Sequence, residues 1–230
     1  MQPIIIALVI IAFAVLFFVL YYFSDEVSIK RKFKKTPLQK IAYINEGQVA
    51  KIVGKVQLVD EPIIAPLSGR ACAYYHIILE QLVSSGKSSH WKTIIDEHDI
   101  CKFLIDDGSG DYAYFNSNHS KKLIVKDHEY KTSIFKDPSA RMLQFLADRQ
   151  IEPNSWMGLK KNLRCKEGIL EPSESVALIG RGEWKKSEEL ELPSSYYRIL
   201  HLVPTEEQVI YISDNSETTK KVDEGGIQRF

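Results

Sequence analysis

The densest group of titratable side chains in this 230-residue sequence is the run Asp96-Glu97-His98-Asp99. Carboxylates and imidazoles are among the ligands that divalent cations bind in proteins. Adjacent residues of a strand or turn point in different directions, however, so consecutive positions do not converge on one ion. We therefore interpret the run as a set of solvated charges, and we predict no metal site there.

A second acidic run, Asp106-Asp107-Gly108-Ser109-Gly110-Asp111, resembles a calcium loop in composition. An EF-hand loop needs oxygen-bearing side chains at its first, third and fifth positions. If Asp106 is the first, glycines occupy the third and fifth positions and supply no ligand. Glycine and aspartate do supply the positive-φ conformations of tight turns. The run predicts a hairpin turn between two strands.

The remaining candidates for catalysis or cofactor binding lack the required spacing. The sequence contains no G-x-S-x-G nucleophile motif, no H-E-x-x-H among its six histidines, and no phosphate-binding or Rossmann glycine loop. Cys72, Cys101 and Cys165 are odd in number and far apart, which disfavours a disulfide framework and a structural zinc site and indicates free thiols. We predict no catalytic, cofactor-binding or metal-binding residues.

One charged cluster does suggest a partner. It consists of the five basic residues Lys30, Arg31, Lys32, Lys34 and Lys35. Basic residues near a bilayer attract anionic headgroups by roughly 1 kcal/mol each, so these five side chains are candidate lipid contacts. The same cluster could serve topology alone, and the acidic pair Asp25-Glu26 dilutes it and favours that second role.

The element that would bring this cluster to a bilayer precedes it. Residues 4–23 carry no charged side chain, and about twenty apolar residues in a helix cross the hydrocarbon core. The run is longer than a signal-peptide core, lacks a preceding Lys or Arg, and is followed by bulky residues, so we expect an uncleaved anchor. The basic residues after it place the rest of the chain in the cytoplasm by the positive-inside rule.

The sequence after the anchor predicts one β-rich domain. The first 40 positions hold six of the 30 basic residues and two of the 30 acidic residues. The rest of the chain therefore carries 24 basic and 28 acidic groups, and this slight negative charge gives no reason to expect nucleic-acid binding. Short Val-, Ile- and Tyr-rich runs between turn residues indicate strands. We expect a mainly β fold with one or two helices, either an OB-like barrel or a sandwich. One helix should begin at Asp137-Pro138 and extend to 148 or 150.

These patterns divide the chain into four segments. They are a transmembrane helix at 3–23, a basic juxtamembrane segment at 24–45, a β-rich domain at 46–212 and a polar, frayed tail at 213–230.

Three blocks of this sequence together carry a resemblance to a known family. The first comprises Glu46-Gly47, Gly54-Lys55-Val56 and Pro62 to Tyr75, the second Phe103 to Gly110, and the third Cys165 to Gly180. In this order and next to an apolar span, the blocks resemble the GIDE domain, also called the Beside-a-Membrane (BAM) domain, which adjoins transmembrane helices in mitochondrial E3 ubiquitin ligases. The positions that match, which we expect to be structural, are Pro66, Leu67, Gly69, Cys72, Tyr74, Tyr75, Phe103, Asp106, Gly110, Glu167, Leu170 and Gly180.

The resemblance does not extend to ligase activity. The ligases end in a second span and a RING domain, which needs about eight zinc ligands in paired spacing. This sequence has no C-x-x-C pair and no second long apolar run. We therefore expect a non-enzymatic interaction or scaffold module at a membrane surface, whose partners are the lipid bilayer and a protein at the membrane. The alternatives are an accessory of ubiquitin-ligase or membrane quality-control machinery and an anionic-lipid sensor.

Overall fold

The computed structural model describes residues 3–86, 88–115, 120–132, 137–154, 160–207 and 209–220. It is mainly β, as predicted. The helices are α1 Pro3–Tyr22, α2 Asp25–Lys35, α3 Ala140–Asp148 and α4 Ser216–Thr219, with 3₁₀ turns at Ile41–Tyr43 and Ser187–Leu190. The strands are β1 Val49–Leu58, β2 Ile63–Ile64, β3 Ala71–Cys72, β4 Tyr74–Ser85, β5 Ser88–Ile100, β6 Phe103–Asp106, β7 Tyr112–Phe115, β8 Ser120–Leu123, β9 His128–Lys131, β10 Leu163–Leu170, β11 Ser175–Lys186, β12 Arg198–Val203 and β13 Ile210–Ser213.

The larger sheet has seven strands in the order β1-β6-β7-β12-β11-β13-β8, and β1 also pairs with β11. The first part of β1, through Lys55, is antiparallel to β11, and its last part, from Lys55, is antiparallel to β6. Strands β7 and β12 are parallel. The pairings β1–β6–β7–β12–β11–β1 therefore form a closed ring of five strands, from which β13 and β8 extend.

Strand β1 can pair with both β11 and β6 because Gly54 lies next to the point where the strand changes partner. A Cβ atom at Gly54 would lie 2.5 Å from the backbone oxygen of Asp106 and 2.6 Å from Cγ2 of Ile105. No side chain larger than hydrogen fits in that space without displacing β6. Inside the ring, alternate side chains such as Ile52, Val56 and Leu200 form the largest buried cluster.

The second sheet is antiparallel, with the order β5-β4-β10-β9. Ile77 and Leu79 on one face of β4 are fully buried against α3. From α3, Phe145 and Leu146 fill the same cluster. Core packing thus accounts for most of the apolar stripe of α3, although Leu143 is 44% exposed.

Helix α3 lies where it was predicted, but its N-cap is not the predicted residue. Ser139 caps the helix, because its hydroxyl accepts a hydrogen bond from the Met142 amide at 3.2 Å. Asp137 lies two residues before the cap and forms an ion pair with Lys160 at 2.6 Å. Ser139 is the N-cap because its side chain is adjacent to the free amides of the first helical turn. Asp137 lies two residues earlier and does not reach them.

The acidic run between β6 and β7 forms the predicted hairpin turn. The two strands are antiparallel. Asp106 accepts a hydrogen bond from the Gly108 amide at 2.8 Å, and Gly108 and Gly110 have φ values of 78° and 96°. Asp107 is 5% exposed and accepts hydrogen bonds from Ser109 and from Ile41 of the first 3₁₀ turn. The carboxylates therefore stabilise the turn and its contact with the chain before β1.

Helix α1 contacts little of the rest of the protein. From Leu8 to Tyr22 its large apolar side chains are all more than 40% exposed, and Phe23 directly after it is 72% exposed. Among the described residues no single helix is both long and apolar enough for a membrane span, whereas the helices Ala7–Tyr22 and Asp25–Lys35, bent by 58°, meet that criterion together.

The folded body is wider than the expected domain of residues 46–212. Residues 24–45 were expected to link the anchor to the domain, but α2 packs against the larger sheet and against α4. Residues from Ser213 were expected to fray, but Ser213 ends β13 and Thr218 of α4 is 2% exposed. The Thr218 hydroxyl donates to Ser213 Oγ at 2.8 Å, which holds α4 to the sheet. Residues 221–230 of the predicted tail lie outside the described residues.

Candidate functional site at the elbow between α1 and α2

The elbow is the break at Phe23-Ser24, where the apolar helix α1 meets the charged helix α2. Arg31 on α2 reaches back across it. Its guanidinium lies 3.8 Å from the ring centroid of Tyr22, and its Nη2 donates a hydrogen bond to the Tyr22 carbonyl at 2.7 Å. That carbonyl belongs to the last turn of α1, where helical oxygens have no internal partner. Arg31 therefore fixes the orientation of one helix relative to the other.

Helix α2 is attached to the body by two apolar side chains. Ile29 and Phe33 are spaced four residues apart, so they lie on one face of the helix. They are 3% and 2% exposed and pack against Val53 of β1 and Ile179 of β11. An isolated helix of 11 residues is only marginally stable in water, so α2 depends on this contact.

Ion pairs surround that apolar contact. Lys32 pairs with Glu207, which also accepts a hydrogen bond from the Tyr211 hydroxyl. Lys30 pairs with Glu26 at 3.0 Å and with Glu217 of α4 at 3.6 Å. These pairs are partly exposed and each adds little stability, but they commit both lysines to partners within the protein.

A cavity of about 780 Å³, which we call the elbow cleft, lies between α2, β1 and α4. Its walls include Tyr21 at the end of α1, one side of α2, residues 36–38 after α2, Lys51 of β1, and Thr218 and Lys220 at the C-terminal end of the described chain. The charged side chains that line it are Lys30, Arg31, Lys34, Lys51, Lys220, Glu26 and Glu217. Cations outnumber carboxylates five to two, which makes the elbow cleft electropositive.

Lys51 is the unusual member of this set. Although it lines the elbow cleft, it is only 8% exposed, and its ammonium lies 5.9 Å from the ring centroid of Phe33. It forms no ion pair with any carboxylate in the described part of the chain. Burial lowers the pKa of Lys51, because the charged form loses hydration that no anion replaces.

The five residues predicted to contact lipid headgroups do not form one free basic patch. The structure places Lys30, Arg31 and Lys32 in contacts with other parts of the protein. Lys34 and Lys35 are exposed, and neither has an ion pair within the described ranges. Of these five, Lys30, Arg31 and Lys34 line the elbow cleft, together with Lys51 and Lys220, which the sequence did not single out.

The acidic run at 96–99 lies on β5, and successive side chains point to opposite faces as expected. Asp96 pairs with His76 on one face, with 2.7 Å between Oδ1 and Nε2. Glu97 pairs with Arg149 of α3 on the other face. The run therefore does not converge on a single ion.

A separate group of titratable side chains lies where the two sheets meet. His98 contacts Lys122 at 2.9 Å, and Lys122 lies 5.5 Å from the ring centroid of Tyr74, which is 1% exposed. Nearby, Asp214 accepts a hydrogen bond from the Val125 amide at 2.9 Å. Burial raises the pKa of Asp214 to about 7, because its charged form loses hydration.

The loop at 66–69, which belongs to the first block of the family resemblance, is held by a buried carboxylate. Glu167 is fully buried and accepts hydrogen bonds from the Leu67 and Ser68 amides, both at 2.9 Å. Arg70, directly after this loop, pairs with a different carboxylate, that of Glu171. Glu167 faces the loop interior, where two backbone amides satisfy it, whereas Arg70 lies on the surface.

The other positions of the resemblance are packing and turn positions. Leu67, Cys72, Tyr74, Phe103 and Leu170 are buried, Pro66, Tyr75 and Asp106 are half-buried, and Gly69 and Gly110 adopt positive φ. Gly180 lies within β11, and a Cβ atom there would come 3.1 Å from Cβ of Leu202. None of these residues lines the elbow cleft.

The cysteines are free thiols in the structure. Cys72 and Cys165 are fully buried, and burial raises the pKa of each thiol to about 12. Cys101 is half-buried, and burial raises its pKa as well. All three sites therefore favour the uncharged thiol, which is a poor nucleophile and metal ligand.

Comparisons with known proteins identify no relative of this chain. No family model, no curated protein and no solved structure matches it. The site must therefore be interpreted from its own geometry.

Proposed function

We propose that this chain is a membrane-anchored, non-enzymatic interaction module whose β-rich body is held at the bilayer surface. The observation that carries the proposal is the elbow. Helix α1 is apolar and is exposed at every position from 7 to 22. It leads without a flexible linker into α2, which packs Phe33 and Ile29 against the body. A helix that is apolar on all sides is stable when it is buried in a protein core or in lipid, and the body does not bury α1.

The second helix of the bent pair is not part of the span in this proposal. Helix α2 carries seven charged residues among its 11, and its apolar face is already covered by the sheet. Only α1 then lies in the hydrocarbon region, with Tyr21, Tyr22 and Phe23 at the headgroups. The elbow fixes the body directly beneath them, on the cytoplasmic side that the basic residues favour.

We infer that the body is an OB-like barrel of the GIDE type. The closed ring β1–β6–β7–β12–β11, with its parallel β7–β12 pair, supports a small barrel over a sandwich. The buried Glu167 and the packed positions of the sequence blocks support a structural role for the matched residues. A rigid body held at a membrane has a high effective concentration near membrane partners, so modest contacts are sufficient for binding.

Proximity labelling in cells tests this function. The full-length protein is fused to a labelling enzyme at its C-terminus, and the matched control is the same enzyme fused to residues 1–24 alone. We expect the full-length fusion to enrich a set of membrane-associated neighbours that the anchor alone does not label. Identical sets of labelled proteins for the two fusions would contradict an interaction role. A protease-protection assay tests the side of the membrane: a cytoplasmic body should resist added protease in intact cells and be digested after lysis.

A further inference from the structure

The elbow cleft has features of a binding site for an anionic amphiphile. Its volume of about 780 Å³ is in the range of small-molecule sites. Its walls combine cationic side chains with the apolar residues Val27, Pro37 and Leu38. A ligand with a charged group and a short apolar part would satisfy both kinds of wall.

The carboxylates of the elbow cleft do not neutralise its cations. Glu26 and Glu217 both pair with Lys30. Arg31, Lys34, Lys51 and Lys220 also line the elbow cleft, and none of these four pairs with a carboxylate within the described ranges.

Two of these cations are partly withdrawn from water without a counter-charge. Lys51 is 8% exposed as a whole residue, and its ammonium, which is not fully buried, has no ion pair or hydrogen bond with the residues that the structure describes. Arg31 is half-buried, and its Nε is buried without an acceptor in the described part of the chain. Desolvating a cation without a partner is costly, and an anion in the elbow cleft would offset part of that cost.

The position of the elbow cleft indicates where the anion would come from. Tyr21, in the last turn of α1, forms part of the wall. If α1 crosses the bilayer, this residue lies at headgroup level, so lipid phosphates are the most abundant anions at the mouth. A soluble phosphate ester shares the same chemistry but would not use the apolar wall.

We propose that the elbow cleft binds the phosphate group of an anionic phospholipid, with Lys51 and Arg31 as its principal ligands and Lys34 at the mouth. This inference rests on the proposed function, because it places α1 in the membrane. It differs from adsorption of a basic patch to a charged surface, because it assigns the binding to one cleft whose wall includes Lys51, a residue of β1 outside the basic cluster.

The test uses the full-length protein in a neutral detergent, with dihexanoyl phosphatidylglycerol as the probe and binding followed by isothermal titration calorimetry. Dihexanoyl phosphatidylcholine controls for the acyl chains, and glycerol 3-phosphate and inorganic phosphate control for the soluble source. We expect phosphatidylglycerol to bind at least tenfold more tightly than each control. Equal binding of the soluble phosphates would overturn the assignment to a lipid, and equal binding of phosphatidylcholine would overturn the requirement for an anion.

Two variants localise the site. Lys51→Met and Arg31→Gln should each weaken phosphatidylglycerol binding at least tenfold, whereas Lys55→Met, at an exposed position of the same strand that does not line the elbow cleft, should change it less than twofold. Thermal unfolding checks that each variant is folded, and Arg31→Gln keeps the test decisive if Lys51→Met unfolds. Unchanged affinity in both variants would overturn the proposal.

Membrane extraction of the same proteins separates the two proposals. If no variant alters lipid binding but the wild-type protein remains in membranes at alkaline pH, the elbow cleft inference is wrong and the anchor stands. If the protein is extracted, the anchor itself is wrong.

Discussion

Substitution of Phe33 by alanine should detach α2 from the sheet. Phe33 is 2% exposed and, together with Ile29, supplies the apolar contact between α2 and the strands β1 and β11. Replacing a buried phenylalanine by alanine typically costs about 3–5 kcal/mol. The contacts that remain are Ile29 and partly exposed ion pairs, each of the latter worth about 0.2–1 kcal/mol.

The loss of stability should affect α2 more than the ring of strands. Because the 11-residue helix is not stable alone, weaker docking is followed by local unfolding. A loss of about 3–4 kcal/mol corresponds to a rise of roughly 10²–10³-fold in the exchange rate of its protected amides. Hydrogen exchange read by mass spectrometry on peptides covering residues 25–35 measures this change.

The matched control is Phe23→Ala, at an aromatic residue that is 72% exposed. In detergent this variant should leave the exchange of α2 unchanged within about threefold, because the ring contact that it removes is with Tyr22 of α1 and not with α2 or the sheet. Peptides from β11 should stay protected in both variants. If α2 in Phe33→Ala exchanges within threefold of wild type, the reasoning that docking stabilises α2 is refuted.

Three further predictions concern the body and are tested by chemical denaturation of the full-length protein in detergent. Glu167→Gln should lower the free energy of unfolding by about 1–3 kcal/mol, because one of the two loop amides loses its carboxylate acceptor in a buried site; an unchanged value would contradict this. Ser139→Ala should cost about 1 kcal/mol through loss of the α3 cap, whereas Ser139→Asp should retain the cap and the stability. Asp214→Asn should become progressively more stable than wild type as the pH rises from 4 to 8, by roughly 2 kcal/mol at the upper end. The folded pKa of Asp214 is raised to about 7, so its stabilising contribution is complete below the unfolded pKa and is lost as the pH rises through 7; a difference independent of pH would exclude this residue as the cause.

Local sequence signals predicted the local elements well. The turn at 106–111 followed from its glycines, and α3 followed from its apolar spacing and a polar cap, although the capping residue was Ser139. The Val-, Ile- and Tyr-rich runs indicated strands, but where each strand begins and ends depends on its pairing. For example, β5 continues from Ser88 to Ile100 because β4 offers a partner along its whole length.

The closed ring could not be predicted because it depends on non-local pairing. Whether β1 pairs with β11 as well as β6 depends on contacts more than 100 residues apart. The sequence alone does not show why position 54 must be glycine, because only the position of β6 explains it.

The elbow was missed although its signal was present. Ser24 precedes two acidic residues, lysines occupy the last turn, and Ile29 and Phe33 are four residues apart, which together indicate a capped amphipathic helix. Lys51 could not have been identified from the sequence, because a lysine in a strand gives no sign that a distant helix will bury it.

Alkaline extraction tests the central claim that α1 anchors the body in a bilayer. Membranes from cells that express the full-length protein are washed at about pH 11, which releases peripheral proteins. The matched variant carries Phe13→Asp and Phe17→Asp, two exposed positions of α1, where each carboxylate costs about 3 kcal/mol at the centre of a bilayer. The account predicts that the wild-type protein stays with the membranes and that the variant is released. Release of the wild-type protein into the supernatant would contradict it.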